Sequence, residues 1–276
     1  MRIATPHEPD HGFLTDMADH VRQELREGYY DNRPQASLGL LLRPPRLDEA
    51  VRQARASPAI LVELKHASPG YGEDSVPEVG PEEFLASARR AGVDGLSVIP
   101  QPHVFGGSLE EFGAVAQSSP YPVLFKDFVV SIDQIEAAAA WGAAAVLLIA
   151  RLDSLGLTEV PLDALVDAAH EHDIEALVEV HSPEELPLAL GSNPDLLGVN
   201  ARDLQTLEVS TLSAARVLAE ARETGLPLVG MSGITGPDAV RDYTAAGAGA
   251  VLVGTAYLRA EDRAAFVAHL RSGGPG

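Results

Sequence analysis

The sequence predicts an α/β fold in which buried parallel strands alternate with helices. Short runs rich in Val, Leu and Ile recur through the chain, and strands that are buried on both faces of a parallel sheet read as continuous apolar runs of this kind. Helical patterns with start and stop signals lie between the runs. These two observations together predict repeated strand–helix units.

Eight such runs predict eight strands. In order along the chain they are Ala59–Glu63, Gly95–Val98, Val123–Phe125, Ala145–Ile149, Ala176–Val180, Leu196–Val199, Leu228–Gly230 and Ala250–Val253. Eight strands with a helix after each one form a (β/α)8 TIM barrel, and 276 residues suit that fold. An open, doubly wound sheet is the alternative, but no G-x-G-x-x-G follows the first run and the count of eight closes a barrel.

The helices are predicted from their ends. Pro81 begins a helix with acids in its first turn, as the helix dipole favours. Ser108 with Glu111 predicts a capping box, and Pro183 and Pro237 take the first helical position of two further helices. Ala-Gly pairs such as Ala91-Gly92 and Ala246-Gly247 are typical of helix C-caps that lead into a strand.

Residues 1–57 precede the first strand and predict a helical extension. Helical patterns cover Thr15–Arg26 and Leu47–Ala56, separated by a polar loop. The stretch is too short to bury much core by itself, so we expect it to pack on a catalytic barrel domain formed by residues 58–276.

Composition excludes several classes of function. The formal net charge of −20 disfavours nucleic acid and anionic membrane as partners. No cysteine is present, which excludes disulfides, thiolate catalysis and cysteine-ligated zinc. The chain shows neither a signal peptide nor a membrane-spanning segment, so a cytoplasmic monomer or weak homodimer is expected.

Lysine is almost absent from the chain. Only Lys65 and Lys126 stand against eighteen arginines, and each follows a predicted strand. An arginine keeps its proton near neutral pH, whereas a lysine in a pocket can release it. Both lysines are therefore candidate proton donors, Schiff-base formers or phosphate ligands, and the alternative is that they are two ordinary surface lysines.

Polar residues cluster where the predicted strands end, which is where barrels carry their active sites. Glu63 and Lys65 are two residues apart and point to one side, and Glu179 faces the barrel axis between two outward-facing valines. Asn200 and Arg202 share parity after the sixth strand. One mouth thus gathers amines, carboxylates, a guanidinium and an amide, a set more typical of an active site than of an interior ion pair.

Two glycine turns predict a phosphate site. Ser232-Gly233 follows the seventh strand and Gly254-Thr255 follows the eighth. The loops after these strands commonly bind phosphate through backbone N–H groups, which glycine allows to approach closely.

These segments resemble the indole-3-glycerol-phosphate synthase family from about residue 58 to residue 265, in order. The matching stretches are Val62-Glu63-Leu64-Lys65-His66-Ala67-Ser68-Pro69, Leu96-Ser97-Val98, Phe105-Gly106-Gly107-Ser108, Pro122-Val123-Leu124-Phe125-Lys126-Asp127-Phe128, Ala145-Val146-Leu147-Leu148-Ile149-Ala150, Leu177-Val178-Glu179-Val180-His181, Gly198-Val199-Asn200-Ala201-Arg202-Asp203-Leu204, Ser232-Gly233-Ile234 and Val251-Leu252-Val253-Gly254.

The resemblance implies a lyase of tryptophan biosynthesis. Such an enzyme closes 1-(2-carboxyphenylamino)-1-deoxyribulose 5-phosphate into an indole, with loss of CO2 and water and without cofactor or metal. It implies that Lys126 and Lys65 donate protons, that Glu63 holds Lys65, and that Glu179, helped by Asn200, is the general base. The implied binding residues are Ser68 and Arg202 at the anthranilate end, Phe105, Phe128, Pro69, Leu147 and Leu252 around the aryl ring, and Ser232, Gly233, Gly254 and Thr255 at the phosphate.

The sequence departs from the family pattern near the expected mouth. Met231, an expected substrate-binding residue, stands where the family has glutamate. Ile99-Pro100-Gln101 replaces Leu-Thr-Glu or similar, Gly70-Tyr71 replaces Ser-Lys, and Ala201 replaces a common asparagine. Three hypotheses follow: the ordinary synthase, a divergent relative that cyclises a different arylamino sugar phosphate, and a weakly catalytic barrel that binds a phosphorylated ligand. A Schiff-base aldolase that uses Lys65 or Lys126 is a further enzymatic alternative.

Overall fold

The computed structural model describes residues 12–34, 44–54, 57–68 and 76–273. Within them, eight parallel strands form a closed barrel in sequence order, and β1 pairs with β8 to complete it. The strands are β1 (Ala59–Leu64), β2 (Gly95–Val98), β3 (Val123–Phe125), β4 (Ala145–Ile149), β5 (Glu175–Val180), β6 (Leu196–Asn200), β7 (Leu228–Met231) and β8 (Ala250–Val253). The predicted (β/α)8 barrel with a helical N-terminus is confirmed.

The predicted strand bounds are those of β2, β3, β4 and β8, and the other four strands are one residue longer. Three of the additions are at the carboxyl ends of β1, β6 and β7, and two of these residues, Asn200 of β6 and Met231 of β7, lie opposite each other in register. These residues continue the backbone ladder although their side chains belong to the site. The predicted bounds therefore end β6 and β7 one residue too early.

Helices surround the barrel. They are α1 (Phe13–Arg26), α2 (Leu47–Gln53), α3 (Pro81–Ala91), α4 (Pro102–Phe105), α5 (Leu109–Ser118), α6 (Ile132–Ala140), α7 (Ala150–Ser154), α8 (Leu162–Glu171), α9 (Leu186–Gly191), α10 (Thr211–Ala221), α11 (Pro237–Ala246), α12 (Thr255–Arg259) and α13 (Arg263–Arg271). Short 3-10 turns cover Tyr29–Asp31, Pro183–Glu185 and Arg222–Thr224. Gly92 and Gly247 end α3 and α11 in the left-handed region, as their Ala-Gly pairs predict.

The predicted capping box at α5 is only half present. The Ser108 hydroxyl accepts a hydrogen bond from the Glu111 N–H at 3.1 Å, but the Glu111 carboxylate does not return to Ser108. It pairs instead with His66 in the loop after β1, where His66 Nε2 lies 2.8 Å from Glu111 Oε2. A tertiary contact with His66 therefore replaces only the glutamate half of the predicted capping box.

The N-terminal segments contact opposite ends of the barrel. Helix α1 begins two residues earlier than predicted, and its Phe13 ring meets Phe128 beyond the carboxyl end of β3 at 5.9 Å between centroids. Helix α2 ends at Gln53, and the predicted Arg55 and Ala56 lie outside the described residues. Glu175 at the start of β5 accepts hydrogen bonds from the first N–H groups of α2, which fixes α2 at the amino end of the strands. None of the described helices is long and apolar enough to cross a membrane.

Candidate active site

A single cavity at the carboxyl ends of the strands collects the predicted site residues. Pro69 lies outside the described residues, and all the others line this cavity: Glu63, Lys65, Ser68, Phe105, Lys126, Phe128, Leu147, Glu179, Asn200, Arg202, Met231, Ser232, Gly233, Leu252, Gly254 and Thr255. The strand order explains the convergence, because parallel strands in a closed barrel open at one mouth.

Glu63 is held between the two lysines. Lys65 Nζ lies 2.7 Å from Glu63 Oε1, and Lys126 Nζ lies 3.4 Å from Glu63 Oε2. Burial would raise the pKa of Glu63, but Lys65 and Lys126 together lower it to about 2. The carboxylate therefore remains an anion and fixes both ammonium groups at the mouth.

The backbone of Gly254 allows this arrangement. A Cβ atom at position 254 would lie 2.6 Å from Glu63 Oε1 and 3.0 Å from Lys65 Nζ, closer than side-chain contacts permit. A glycine that was predicted only to approach a phosphate therefore also makes room for the ion pair.

Glu179 and Asn200 form a second polar pair in the cavity. Asn200 Nδ2 donates to Glu179 Oε1 at 2.9 Å, and Asn200 Oδ1 accepts from the Arg202 backbone N–H at 3.0 Å. These two bonds fix the orientation of the Asn200 amide. Burial raises the pKa of Glu179, against the opposing effects of Lys126 and Asn200, so this carboxylate is a better proton acceptor than an exposed one.

Two other polar residues near the strand ends, His181 and Arg202, make hydrogen bonds that hold the backbone around the site in place. His181 Nδ1 lies 2.8 Å from the Asn200 carbonyl oxygen, and the backbone N–H of His181 donates to Glu185 Oε2 at 2.7 Å. The Arg202 guanidinium donates to the Leu207 carbonyl oxygen at 2.8 Å, which holds the loop after β6 in place. His181 does not line the cavity, whereas Arg202 does.

Aromatic rings form one wall of the cavity. The rings of Phe105 and Phe128 stack at 6.0 Å between centroids, and Phe13 meets Phe128 edge-on. Phe13 belongs to α1 and was not predicted as a site residue, because it precedes the predicted helix Thr15–Arg26 and its local sequence does not indicate a contact with the barrel mouth. Ile99 and Asp127, which were expected near the mouth, also line the cavity, and further unpredicted lining residues are Ile149, Leu204, Leu207, Ile234, Thr235, Val253, Ala256 and Arg259.

The loops after β7 and β8 form the other end of the cavity. Ser232 and Gly233 both have left-handed backbone angles, and Tyr243 of α11 donates to the Ser232 carbonyl oxygen at 2.9 Å. A Cβ at Gly233 would lie 2.8 Å from Thr211, so only glycine fits this turn. Arg259 adds a cation that the sequence pattern did not indicate.

The departures from the family pattern are not all near the mouth. Met231 is buried in the cavity wall with its methyl group over Gly198, where a Cβ would lie 2.5 Å from Met231 Cε. Gln101, expected near the mouth, is instead fully buried at the start of α4 and does not line the cavity. Ala201 is buried outside the lining, and Gly70-Tyr71 lies outside the described residues.

The closed barrel and its mouth define the class of this protein as a (β/α)8 barrel that gathers two lysines and two buried glutamates in one cavity. The chain belongs to the indole-3-glycerol phosphate synthase family, whose model matches residues 16–270. It is 38% identical over 226 residues to the indole-3-glycerol phosphate synthase of Thermococcus kodakarensis, covering 81% of this chain and 96% of that protein. The synthase of Saccharopolyspora erythraea is 36% identical over 270 residues, which cover 95% of each chain.

Solved structures of low sequence identity share the fold alone. 3-Hexulose-6-phosphate synthase from Salmonella typhimurium superimposes with a TM-score of 0.61 at 18% identity, covering 78% of this chain and 97% of that chain. Thiamine phosphate pyrophosphorylase from Pyrococcus furiosus gives a TM-score of 0.56 at 16% identity, covering 80% and 96%.

Proposed function

We propose that the protein is an indole-3-glycerol-phosphate synthase that converts 1-(2-carboxyphenylamino)-1-deoxyribulose 5-phosphate into an indole. The observation that carries the proposal is the pair of ammonium groups on Glu63 in one cavity with the buried Glu179. Membership of the family supports a decarboxylating, ring-closing lyase of tryptophan biosynthesis.

Ring closure requires a proton donor beside the ketose carbonyl. The aryl carbon that bears the carboxylate attacks the carbonyl carbon, a C–C bond forms, and the carbonyl oxygen takes a proton from Lys65 or Lys126. Breaking the bond to CO2 then returns an electron pair to the aryl ring. A lysine suits this step because its ammonium stabilises the oxygen as negative charge develops there.

Dehydration requires an acid and a base in the same cavity. The other lysine protonates the new hydroxyl, which leaves as water, and Glu179 removes the proton whose loss makes the second ring aromatic. Burial raises the pKa of Glu179, so this base becomes protonated at a higher pH than an exposed carboxylate would. As the pH is lowered, activity should therefore begin to fall earlier than it would with an exposed carboxylate as the base. Asn200, bonded to Glu179 Oε1, holds the base in place.

The substrate's two anionic ends match the two ends of the cavity. Ser232, Gly233, Gly254 and Thr255 bind the phosphate through backbone and hydroxyl groups, and Ser68 and Arg202 bind the anthranilate carboxylate. Phe105, Phe128, Leu147 and Leu252 enclose the aryl ring, which leaves the ketose chain beside the two lysines.

Turnover of the arylamino ribulose phosphate, followed by indole fluorescence, tests the proposal. Lys126→Arg keeps the positive charge but has no proton to give near neutral pH, and Lys126→Met removes both. Both variants should lose roughly 100-fold or more in kcat if Lys126 donates a proton. Activity of Lys126→Arg close to that of the unmodified protein would mean that only the charge is needed.

A second candidate follows from Met231. The family's glutamate at this position would give the cavity one more negative charge and an acceptor for the ribulose hydroxyls, and a methionine gives neither. An apolar, flexible side chain at this place favours a relative that cyclises a different arylamino sugar phosphate.

Met231→Glu and Met231→Gln separate the two candidates. If both variants turn over 1-(2-carboxyphenylamino)-1-deoxyribulose 5-phosphate faster than the unmodified protein does, the site lacks a polar contact for that substrate. This result would favour the second candidate. A loss with both, from an enzyme that turns over rapidly before substitution, would establish the ordinary synthase. Binding of a reduced substrate analogue without turnover of any arylamino substrate would contradict both candidates.

A further inference from the structure

A cluster of buried polar side chains joins the N-terminal segment to the chain that carries Lys126. Glu24 lies on α1, Tyr30 lies in the following 3-10 turn, Gln101 begins α4, and Asp127 directly follows Lys126. Each of the four is at most 2% exposed. Three of them lie outside the cavity wall, and only Asp127 reaches it.

The hydrogen count in this cluster places a proton on Glu24. The Tyr30 hydroxyl lies 2.7 Å from Asp127 Oδ2 and 3.1 Å from Glu24 Oε2. A tyrosine hydroxyl has one hydrogen, so it donates to only one of these oxygens and must accept from the other. Burial raises the pKa of Asp127 as well, but the Phe128 N–H donates to its second oxygen at 2.8 Å and the charge of Lys126 opposes the rise, so Asp127 is the better anion of the two. Glu24 therefore donates to Tyr30, and Tyr30 donates to Asp127.

Gln101 completes the cluster on the other side of Glu24. Gln101 Oε1 accepts from the Val104 N–H at 2.7 Å, which turns Nε2 towards Glu24 Oε1, also at 2.7 Å. An acid at position 101, as in the family pattern, has no hydrogen to donate when ionised and would repel an ionised Glu24. The departure at Gln101 thus belongs to this cluster and not to substrate recognition.

We propose that protonated Glu24 is a positioning residue for the reaction, and that through Tyr30 and Asp127 it holds Lys126 and Phe128 in their catalytic arrangement. The expected effect on turnover rests on the proposed function, but the hydrogen bonds that join Glu24, Tyr30 and Asp127 do not depend on it. The same helix supplies Phe13 to the aromatic wall, so loss of the connection would displace a proton donor and open the aryl end of the cavity.

The connection should weaken at alkaline pH. Burial, and then the charge of Asp127, raise the pKa of Glu24 to about 8. Ionised Glu24 has no hydrogen for Tyr30, and two carboxylates then face one hydroxyl. Among the described residues, the titratable groups around Glu24 are His20 on its own helix, Glu27 at the end of that helix, Tyr29 and Tyr30 in the turn, His103 on α4, and Asp127 with Lys126 after β3.

Trp141 reports on this connection without substrate. It is the only tryptophan of the chain, and its indole N–H donates to the Asn32 carbonyl oxygen at 2.8 Å, two residues after Tyr30. Release of the turn would expose the indole and change its emission. The unmodified protein should therefore show a fluorescence transition near pH 8.

Glu24→Gln assigns the transition. The amide can donate to Tyr30 and accept from Gln101 at every pH, so the variant should lose the transition while the protein stays folded. Tyr29→Phe is the matched control: it removes the Tyr29 hydroxyl bonds to Pro100 and Leu109 in the same turn but leaves Asp127 bonded, and its transition should remain. Absence of a transition in the unmodified protein, or an unchanged one in Glu24→Gln, would overturn the proposal.

Turnover supplies the second readout. Tyr30→Phe should lower kcat/KM by roughly tenfold or more at pH 7, since it breaks the connection at all pH values. Glu24→Gln should keep its turnover from pH 7 to 9 while that of the unmodified protein falls. A protein with the fluorescence behaviour but no turnover would contradict the proposed reaction alone. Turnover with identical pH profiles in both proteins would contradict the positioning role alone.

Discussion

Gly254 leaves room for the Glu63–Lys65 ion pair because it carries no side chain. Gly254→Ala would put a methyl group 2.6 Å from Glu63 Oε1, so the carboxylate must move and Lys65 loses its fixed place. We expect kcat/KM to fall roughly 10- to 100-fold, with the fold intact, because small displacements of catalytic groups are costly. Steady-state kinetics with circular dichroism measure both effects.

Gly191→Ala is the control for that substitution. Position 191 lies at the end of α9, and a Cβ there would meet nothing within 4 Å. This variant should keep full activity. Equal activity of both alanine variants would mean that the ion pair tolerates displacement and that its geometry is not essential.

Helix α1 contributes to the site through Phe13. The ring is 9% exposed, lines the cavity and lies edge-on to Phe128. Phe13→Ala should raise KM about tenfold and change kcat less, because loss of uniform binding appears in KM. Phe13→Leu keeps most of the apolar area, so its KM should lie between that of the unmodified protein and that of Phe13→Ala. An unchanged KM in Phe13→Ala would show that the aryl ring is enclosed without α1.

The His66–Glu111 pair joins the loop after β1 to the first turn of α5. Glu111 raises the pKa of His66 against the opposing effect of burial. A histidine whose pKa is higher in the folded state stabilises that state fully below its unfolded pKa, and this contribution is lost as pH rises through the folded pKa. Glu111→Gln should therefore cost up to about 1 kcal/mol at pH 6, given the partial exposure, and almost nothing at pH 9.

Urea unfolding at the two pH values measures this difference. Glu110→Gln is the control, because Glu110 lies in the same turn of α5 and accepts from the neutral Asn32 amide. Its cost should not depend on pH over this range. A cost of Glu111→Gln that is equal at pH 6 and pH 9 would mean that the charge on His66 contributes nothing.

The barrel was predictable from sequence because each buried strand is a continuous apolar run. A run such as Val123–Phe125 is apolar on both faces, and eight such runs leave few alternatives to a closed barrel. The strand-end residues were predictable for a related reason: alternation fixes which side chains face the axis, so Glu63 and Lys65 had to lie on one side.

Contacts between distant segments could not be predicted in the same way. The sequence around Glu111 fits a local capping box, but His66 lies within reach only after the barrel closes. The positions of Phe13 and Gln101 also depend on contacts that are remote in sequence. The packing of α1 places Phe13 in the cavity wall, and Gln101 donates a hydrogen bond to Glu24 of α1 instead of lining the cavity. A local pattern carries no information about partners that are remote in sequence.

The charge of the whole molecule should oppose capture of an anionic substrate. The formal net charge is −20, whereas the cations at the mouth, Lys65, Lys126, Arg202 and Arg259, act only at short range. The Debye length falls from about 30 Å at 0.01 M salt to about 8 Å at 0.15 M, so added salt removes the distant repulsion before it weakens contacts inside the cavity. We therefore expect kcat/KM to rise with ionic strength over this range, the reverse of electrostatic steering. Stopped-flow or steady-state assays in potassium glutamate, with sucrose as a control for viscosity, test this. A steady fall in kcat/KM would mean that the mouth's local positive potential already dominates the approach of substrate.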